Sequence, residues 1–239
     1  MKRTHILLTA AMAGLLAGAA ASSSAATLTL PAHADTYLRD ATARGALDFI
    51  DVRGGNVDFR GYLRFDLSAI PAGATIDAAT LVLTKVSGAS RNDTITNGRF
   101  ALYGLNNDAG NTPQNWDEAT FVPDQKGTED VTTLTGVTDL DDGGAGISET
   151  LNGGATEVTV TGAPLSGFLQ SRFADGGLAT FILSNDDGTD RGFGFGSKEN
   201  ADPLTHPALT IEYTPIPEPA TVLLLAMCGG VMVVHGRRR

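Results

Sequence analysis

Cysteine is all but absent from this 239-residue chain. The one cysteine, Cys228, lies in an apolar run near the C-terminus, so the body that precedes it can form no internal disulfide and rests on its core or on bound ions. Histidine is scarce too. Between residues 27 and 214 only His33 and His206 occur, and His206 stands before Pro207 in a turn, a poor setting for a catalytic base. No glycine loop of the phosphate-cradling kind is present: "GFGFG" at 192–196 reads as a strand with one aromatic face, because no helical pattern follows it. Basic residues are the other deficit. The same body holds 12 Lys and Arg against 26 Asp and Glu, a formal charge of −14, which repels phosphate backbones and anionic headgroups. With carboxylates everywhere, paired acids for glycoside hydrolysis carry no information at this level.

What remains is short segments of alternating polarity set between turns. In "RGYLRFDL" Leu63, Phe65 and Leu67 fall on one face and Tyr62, Arg64 and Asp66 on the other, as period-two side chains do. Residues 78–86, 99–105, 156–160, 179–185 and 207–213 have the same length and β-branched or aromatic content, and the Gly, Asn, Asp and Pro clusters between them are turn chemistry. One stretch differs. In "APLSGFLQSRFADGG" Leu165, Phe168, Leu169 and Phe173 share a helical face, Pro164 suits the first turn, and Gly176 and Gly177 can end the helix. The expected fold is all-β, a jelly-roll-like β-sandwich with one short helix.

Both ends carry signals of export. Lys2 and Arg3 precede an apolar Ala/Leu-rich stretch and then small residues, the order of a secretory signal peptide over 1–26. At 215–239 the triplet Pro217, Glu218 and Pro219 is followed by a fifteen-residue apolar run, short of the roughly 20 residues that span a bilayer, and by Arg237 to Arg239. This order resembles the PEP-CTERM sorting tag. The resemblance implies recognition by an exosortase in the inner membrane, transient contact with that membrane, and removal of the tag near the triplet. A permanent C-terminal anchor is the alternative.

The body between the two ends, 27–214, also resembles a known family. The segments "ADTYLRD" at 34–40, "RGYLRFDLSAIPAGATIDAATLVL" at 60–83, "NWDEATF" around Trp116 and "FGSKENADPLTHPALTIEY" at 195–213 follow one another as in the DNRLRE domain, which is related to carbohydrate-binding module family 96. The chain departs from that pattern at Phe121, where a second tryptophan is expected, and in a longer acidic linker up to Leu151. The resemblance implies a jelly-roll sandwich on an exported protein, and an affinity for polysaccharide, including acidic ones.

Candidate binding residues follow from the chemistry of sugars. Planar side chains stack on pyranose rings, and Arg pairs with a uronate carboxylate. Arg39, Arg53, Arg60 and Arg64 are the one local concentration of positive charge, and Tyr37 and Tyr62 stand among them, with Tyr103 and Trp116 as further aromatics. The competing reading is internal: Arg64 paired with Asp66, Arg39 with Asp35 and Asp40, and Trp116 anchored in the core under a loop. Asp186, Asp187 and Asp190 around Gly188, and the turn at 139–149, have the oxygen-rich character of Ca²⁺ loops or of ordinary Asp-Gly turns. These features point to a noncatalytic exported surface or extracellular-matrix protein that associates with polysaccharide. A purely structural envelope module is the alternative, and a polysaccharide-degrading enzyme stands further off.

Overall fold

The computed structural model describes residues 24–39, 42–54, 59–86, 97–106, 115–121, 131–134, 149–152, 157–185 and 192–216. They form strands β1 (Ala26–Pro31), β2 (Ala34–Arg39), β3 (Thr42–Ala43), β4 (Phe49–Arg53), β5 (Arg60–Asp66), β6 (Thr75–Thr84), β7 (Asn97–Leu105), β8 (Val131–Thr133), β9 (Glu149–Asn152), β10 (Glu157–Thr161), β11 (Leu178–Ser184), β12 (Gly192–Gly196) and β13 (Ala208–Thr214), with helix α1 (Ala163–Ala174) between β10 and β11. The protein is an all-β sandwich with one short helix. One sheet has the order β1-β13-β6-β10, and the other β3-β2-β5-β11-β7-β8, with β9 also paired to β7. All these pairings are antiparallel. A two-stranded ribbon, β12-β4, joins the end of β6 through the bridge between Lys85 and Phe195 and a 3.0 Å bond from Val86 N–H to Gly194 O.

The main core lies between the layers. Leu81 and Leu83 of β6 and Leu209 and Ile211 of β13 face Leu63 and Phe65 of β5 and Phe181 and Leu183 of β11. These residues alternate with exposed or half-exposed neighbours along β6 and β13, the signature of a sheet wet on one side. Helix α1 closes the core with Leu165, Phe168 and Leu169. Its N-terminal turn holds Pro164, and beyond its end Gly176 and Gly177 take φ of 114° and 81°, which only glycine adopts without strain. Phe173, expected on the buried face, is only partly buried. Arg172 is buried instead, its Nε donating to Leu178 O at 3.1 Å and its Nη1 to Asp175 Oδ2 at 3.1 Å and to Asn106 O.

The expected polar face of β5 is corrected in the same way. Tyr62 and Arg64 are as buried as Leu63, because the segment 115–121 lies over the outer side of the large sheet. A second apolar cluster forms there from Tyr62, Tyr103, Ile182, Trp116, Phe121 and three smaller neighbours.

Gly104 on β7 marks the tightest approach of helix to sheet, since a Cβ there would lie 2.5 Å from the ring of Phe168. Gly104→Ala is expected to lower stability by about 1–3 kcal/mol through overpacking. Gly167, exposed in mid-helix with nothing within 4 Å of an added Cβ, gives the opposite result. Gly167→Ala should raise stability by about 0.5–1 kcal/mol, and urea denaturation of the two variants checks both signs.

Candidate functional site

The six candidate sugar contacts separate into two groups, one along β5 and the other on β2 and β4. Arg60, Tyr62 and Arg64 alternate along the outer face of β5 and are all buried. Tyr62 packs edge-on against Phe121, with ring centroids 4.8 Å apart at 75°, and Phe121 lies 4.8 Å from Trp116 at 31°. The guanidinium of Arg64 sits 5.0 Å from the centre of the Trp116 ring and donates to Trp116 O, while Trp116 Nε1 donates to Thr180 Oγ1 at 3.1 Å. Trp116 is therefore a core anchor under a loop. Phe121 does the filling at the position where the resemblance led one to expect tryptophan. Tyr62, Arg60 and Arg64 are buried and have little surface to offer a polymer, so the expectation for these three is corrected: Tyr62 and Arg64 pack against Phe121 and Trp116 in the outer layer. Besides its attraction to Asp66, Arg64 makes the contact with Trp116. Asp66 Oδ1 accepts the Ser68 N–H at 2.8 Å, and hydrogen bonding to Ser68 is the largest cause lowering its pKa.

Tyr37, Arg39 and Arg53 do come together, at the edge of the sandwich where β2 approaches β4. Backbone bonds of 2.8 and 3.0 Å join Phe59 to Arg53. The Phe59 ring then lies 5.4 Å from the Arg39 guanidinium and 5.9 Å from that of Arg53, close enough for cation–π attraction. Tyr37 stacks on Phe49 at 5.8 Å and 23°, and lies 5.9 Å from Phe59. Arg39 is exposed and Arg53 half-buried, whereas Tyr37 is buried and backs the patch from within. Asp51, on the same face of β4 as Arg53, is also buried. Burial pushes its pKa up to about 6 against the pull of Arg53 and Arg39.

Farther along the same edge lies a polar cluster that sequence reasoning did not find. Asp35 is buried on β2, and its Oδ2 accepts the Lys198 N–H at 2.7 Å. The Asp35 N–H donates to Glu118 Oε1 at 3.1 Å, and Lys198 Nζ bridges Glu118 Oε1, at 2.9 Å, to Glu199 Oε1. Beside this cluster is a shallow depression of about 480 Å³ lined by Ala43, Arg44, Gly45, Ala46, Leu47, Glu118, Ala119 and Glu199. Three distant segments meet here, 83 and 163 residues from Asp35 along the chain, so no local spacing announces the meeting. The one legible signal is the alternation of Asp35, Tyr37 and Arg39, which puts all three on one face of β2.

Among the described residues no three His, Cys, Asp or Glu side chains converge in a way that would hold a metal ion. The candidate calcium ligands Asp186, Asp187 and Asp190, the acids Asp139, Asp141 and Asp142, and the triplet Pro217, Glu218 and Pro219 lie outside the described residues. Among those described, no helix is long and apolar enough to cross a membrane. His206 Nε2 is 2.8 Å from Asn200 O. Comparison with known protein families and with curated protein sequences finds no match for this chain.

Burial raises the pKa of Asp35 from the usual carboxylate range to about 7, and Glu199 and Glu118 add repulsion that Lys198 offsets. The neutral acid is thus favoured by folding. Its contribution is complete below pH about 4 and is lost as the pH rises toward 7, at no more than about 1.4 kcal/mol per pH unit. The melting midpoint should therefore fall between pH 4 and 7. Asp35→Asn, which keeps the acceptor for Lys198 N–H, should make that decline shallower.

Proposed function

We propose that the chain is a noncatalytic protein of the cell surface or extracellular matrix, exported and sorted by an exosortase-type system, that associates with acidic polysaccharide. The observation that carries this reading is the arginine pair Arg39 and Arg53 on either side of the Phe59 ring, at an accessible edge of a chain whose net charge is −10. An anionic polymer is repelled by the rest of such a surface and meets attraction where guanidiniums gather. Guanidinium forks match the planar carboxylate of a uronate, and aromatic backing holds the forks in place. The resemblance to the DNRLRE domain supports the same ligand class. The resemblance of the C-terminal segment to the PEP-CTERM tag supports the route, with secretion machinery, an exosortase and transient inner-membrane contact as partners.

One observation favours the structural-module alternative: Arg60, Arg64 and Tyr62 are spent inside the molecule, which leaves a small binding patch. Affinity electrophoresis separates the two. A gel containing a uronate polymer should retard the protein, a neutral glucan gel should not, and Arg39→Ala combined with Arg53→Ala should weaken retention by about tenfold per arginine. Absence of retardation in every polysaccharide would leave the structural module. For the sorting step, mass spectrometry of the protein recovered from the producing cell should find chains that end before the "GRRR" sequence; recovery of that sequence intact would restore the anchor.

A further inference from the structure

The depression beside the Asp35 cluster, about 480 Å³, falls within the range of about 300–1,000 Å³ usual for small-ligand sites. Its walls come from segments that only the fold brings together: 43–47 at and after β3, 118–119 of the outer cover, and Glu199. Gly45 lets the first two meet, since a Cβ there would lie 2.7 Å from Glu118 Cβ and 2.8 Å from Glu118 O. On one wall stands Arg44. Its backbone N–H is tied to Tyr37 O at 3.0 Å, but its side chain is exposed, and the guanidinium makes no hydrogen bond or ion pair among the described residues. On the other wall Glu118 is fixed through Oε1, which accepts the Asp35 N–H at 3.1 Å and Lys198 Nζ at 2.9 Å, while its Oε2 accepts no hydrogen bond among the described residues. Glu199 Oε2 has no partner either, so acceptors outnumber donors on that side. Ala46 and Leu47 add apolar lining.

We propose that this depression is a subsite for a uronosyl unit, whose carboxylate pairs with Arg44 and whose hydroxyls donate to Glu118. The inference rests on the polysaccharide reading above and deepens it by placing a further sugar contact on the same edge. A guanidinium offers only donors and a carboxylate only acceptors, so the ligand that satisfies both walls carries an anionic fork and hydroxyl donors on one ring. A phosphate or sulfate group lacks the donors for Glu118. A second ammonium is repelled by Lys198, which already stands against that carboxylate, whereas a hydroxyl is not. Because two donors fix Glu118 before any ligand arrives, little ordering remains to be done on binding. The Tyr37 phenol feels both Arg44 and Arg39, so the depression adjoins the patch around Phe59.

The test measures retention of the full-length chain by gels of a polyuronate and of its methyl ester, for the wild type, Arg44→Gln, Glu118→Gln and Ala46→Phe. The expected result is wild-type retention by the polyuronate and not by the ester, and about tenfold weaker retention in each variant. Glu118→Gln separates a built subsite from bulk attraction: it removes a negative charge, so charge alone would strengthen retention of an anionic polymer. That change also breaks the pair with Lys198. Ala46→Phe supplies the same readout with the cluster intact, because it only fills the depression from an exposed position. Retention of Ala46→Phe equal to that of the wild type, or stronger retention of a folded Glu118→Gln, would overturn the subsite and leave the binding reading standing. Retention of no protein by either gel would remove the binding reading itself, and this inference with it.

Discussion

The packing of Phe181 between Phe65 and Phe168 is the contact on which the sandwich turns. Its centroid lies 5.7 Å from Phe65 at 77° and 5.3 Å from Phe168 at 63°, both in the edge-to-face arrangement that aromatic quadrupoles favour. Through these rings β5, β11 and α1 become one unit, and the bare backbone of Gly104 is what lets the helix come close enough. Without a disulfide in the body, cohesion depends on such interdigitation. The arginine patch at the edge inherits its geometry from it, since Phe59 and Arg60 continue the same strand that carries Phe65.

The large sheet is covered on both sides, and that fact explains where the sequence could be read and where it misled. Strands β5, β6, β7, β10, β11 and β13 and helix α1 all correspond to segments whose periodicity was visible. Strand β2 is harder to read, because five of its six residues are buried and its alternation does not separate a wet face from a dry one. Strand β4 is likewise buried at three consecutive positions. The same cause governs the site. Of the candidate contacts, Tyr37, Arg39 and Arg53 lie near one another, whereas Arg64 is covered by Trp116, which comes 52 residues later in the chain. Burial by a distant loop leaves no mark on the local pattern.

The charge distribution shows a related economy. Acidic residues dominate the chain, yet among the described residues the buried ones are few, and each stands beside cations: Asp51 beside Arg39 and Arg53, Asp35 beside the Lys198 that also spans Glu118 and Glu199. Both carboxyls are shifted toward neutrality, mainly by burial. Arg172 and Arg64 show the converse, each desolvated cation turning to backbone carbonyls, of Leu178 and Trp116 respectively. Cations inside this molecule are structural parts first, which is why the exposed edge with Arg39 stands out.

Trp116 is the single tryptophan of the chain, and it sits in the thinner hydrophobic layer outside the large sheet. Indole emission from this molecule thus originates wholly from that layer, while far-ultraviolet ellipticity averages over every strand. The two signals watch different parts of one fold, so the outer covering can be followed as it comes away separately from the sandwich beneath it.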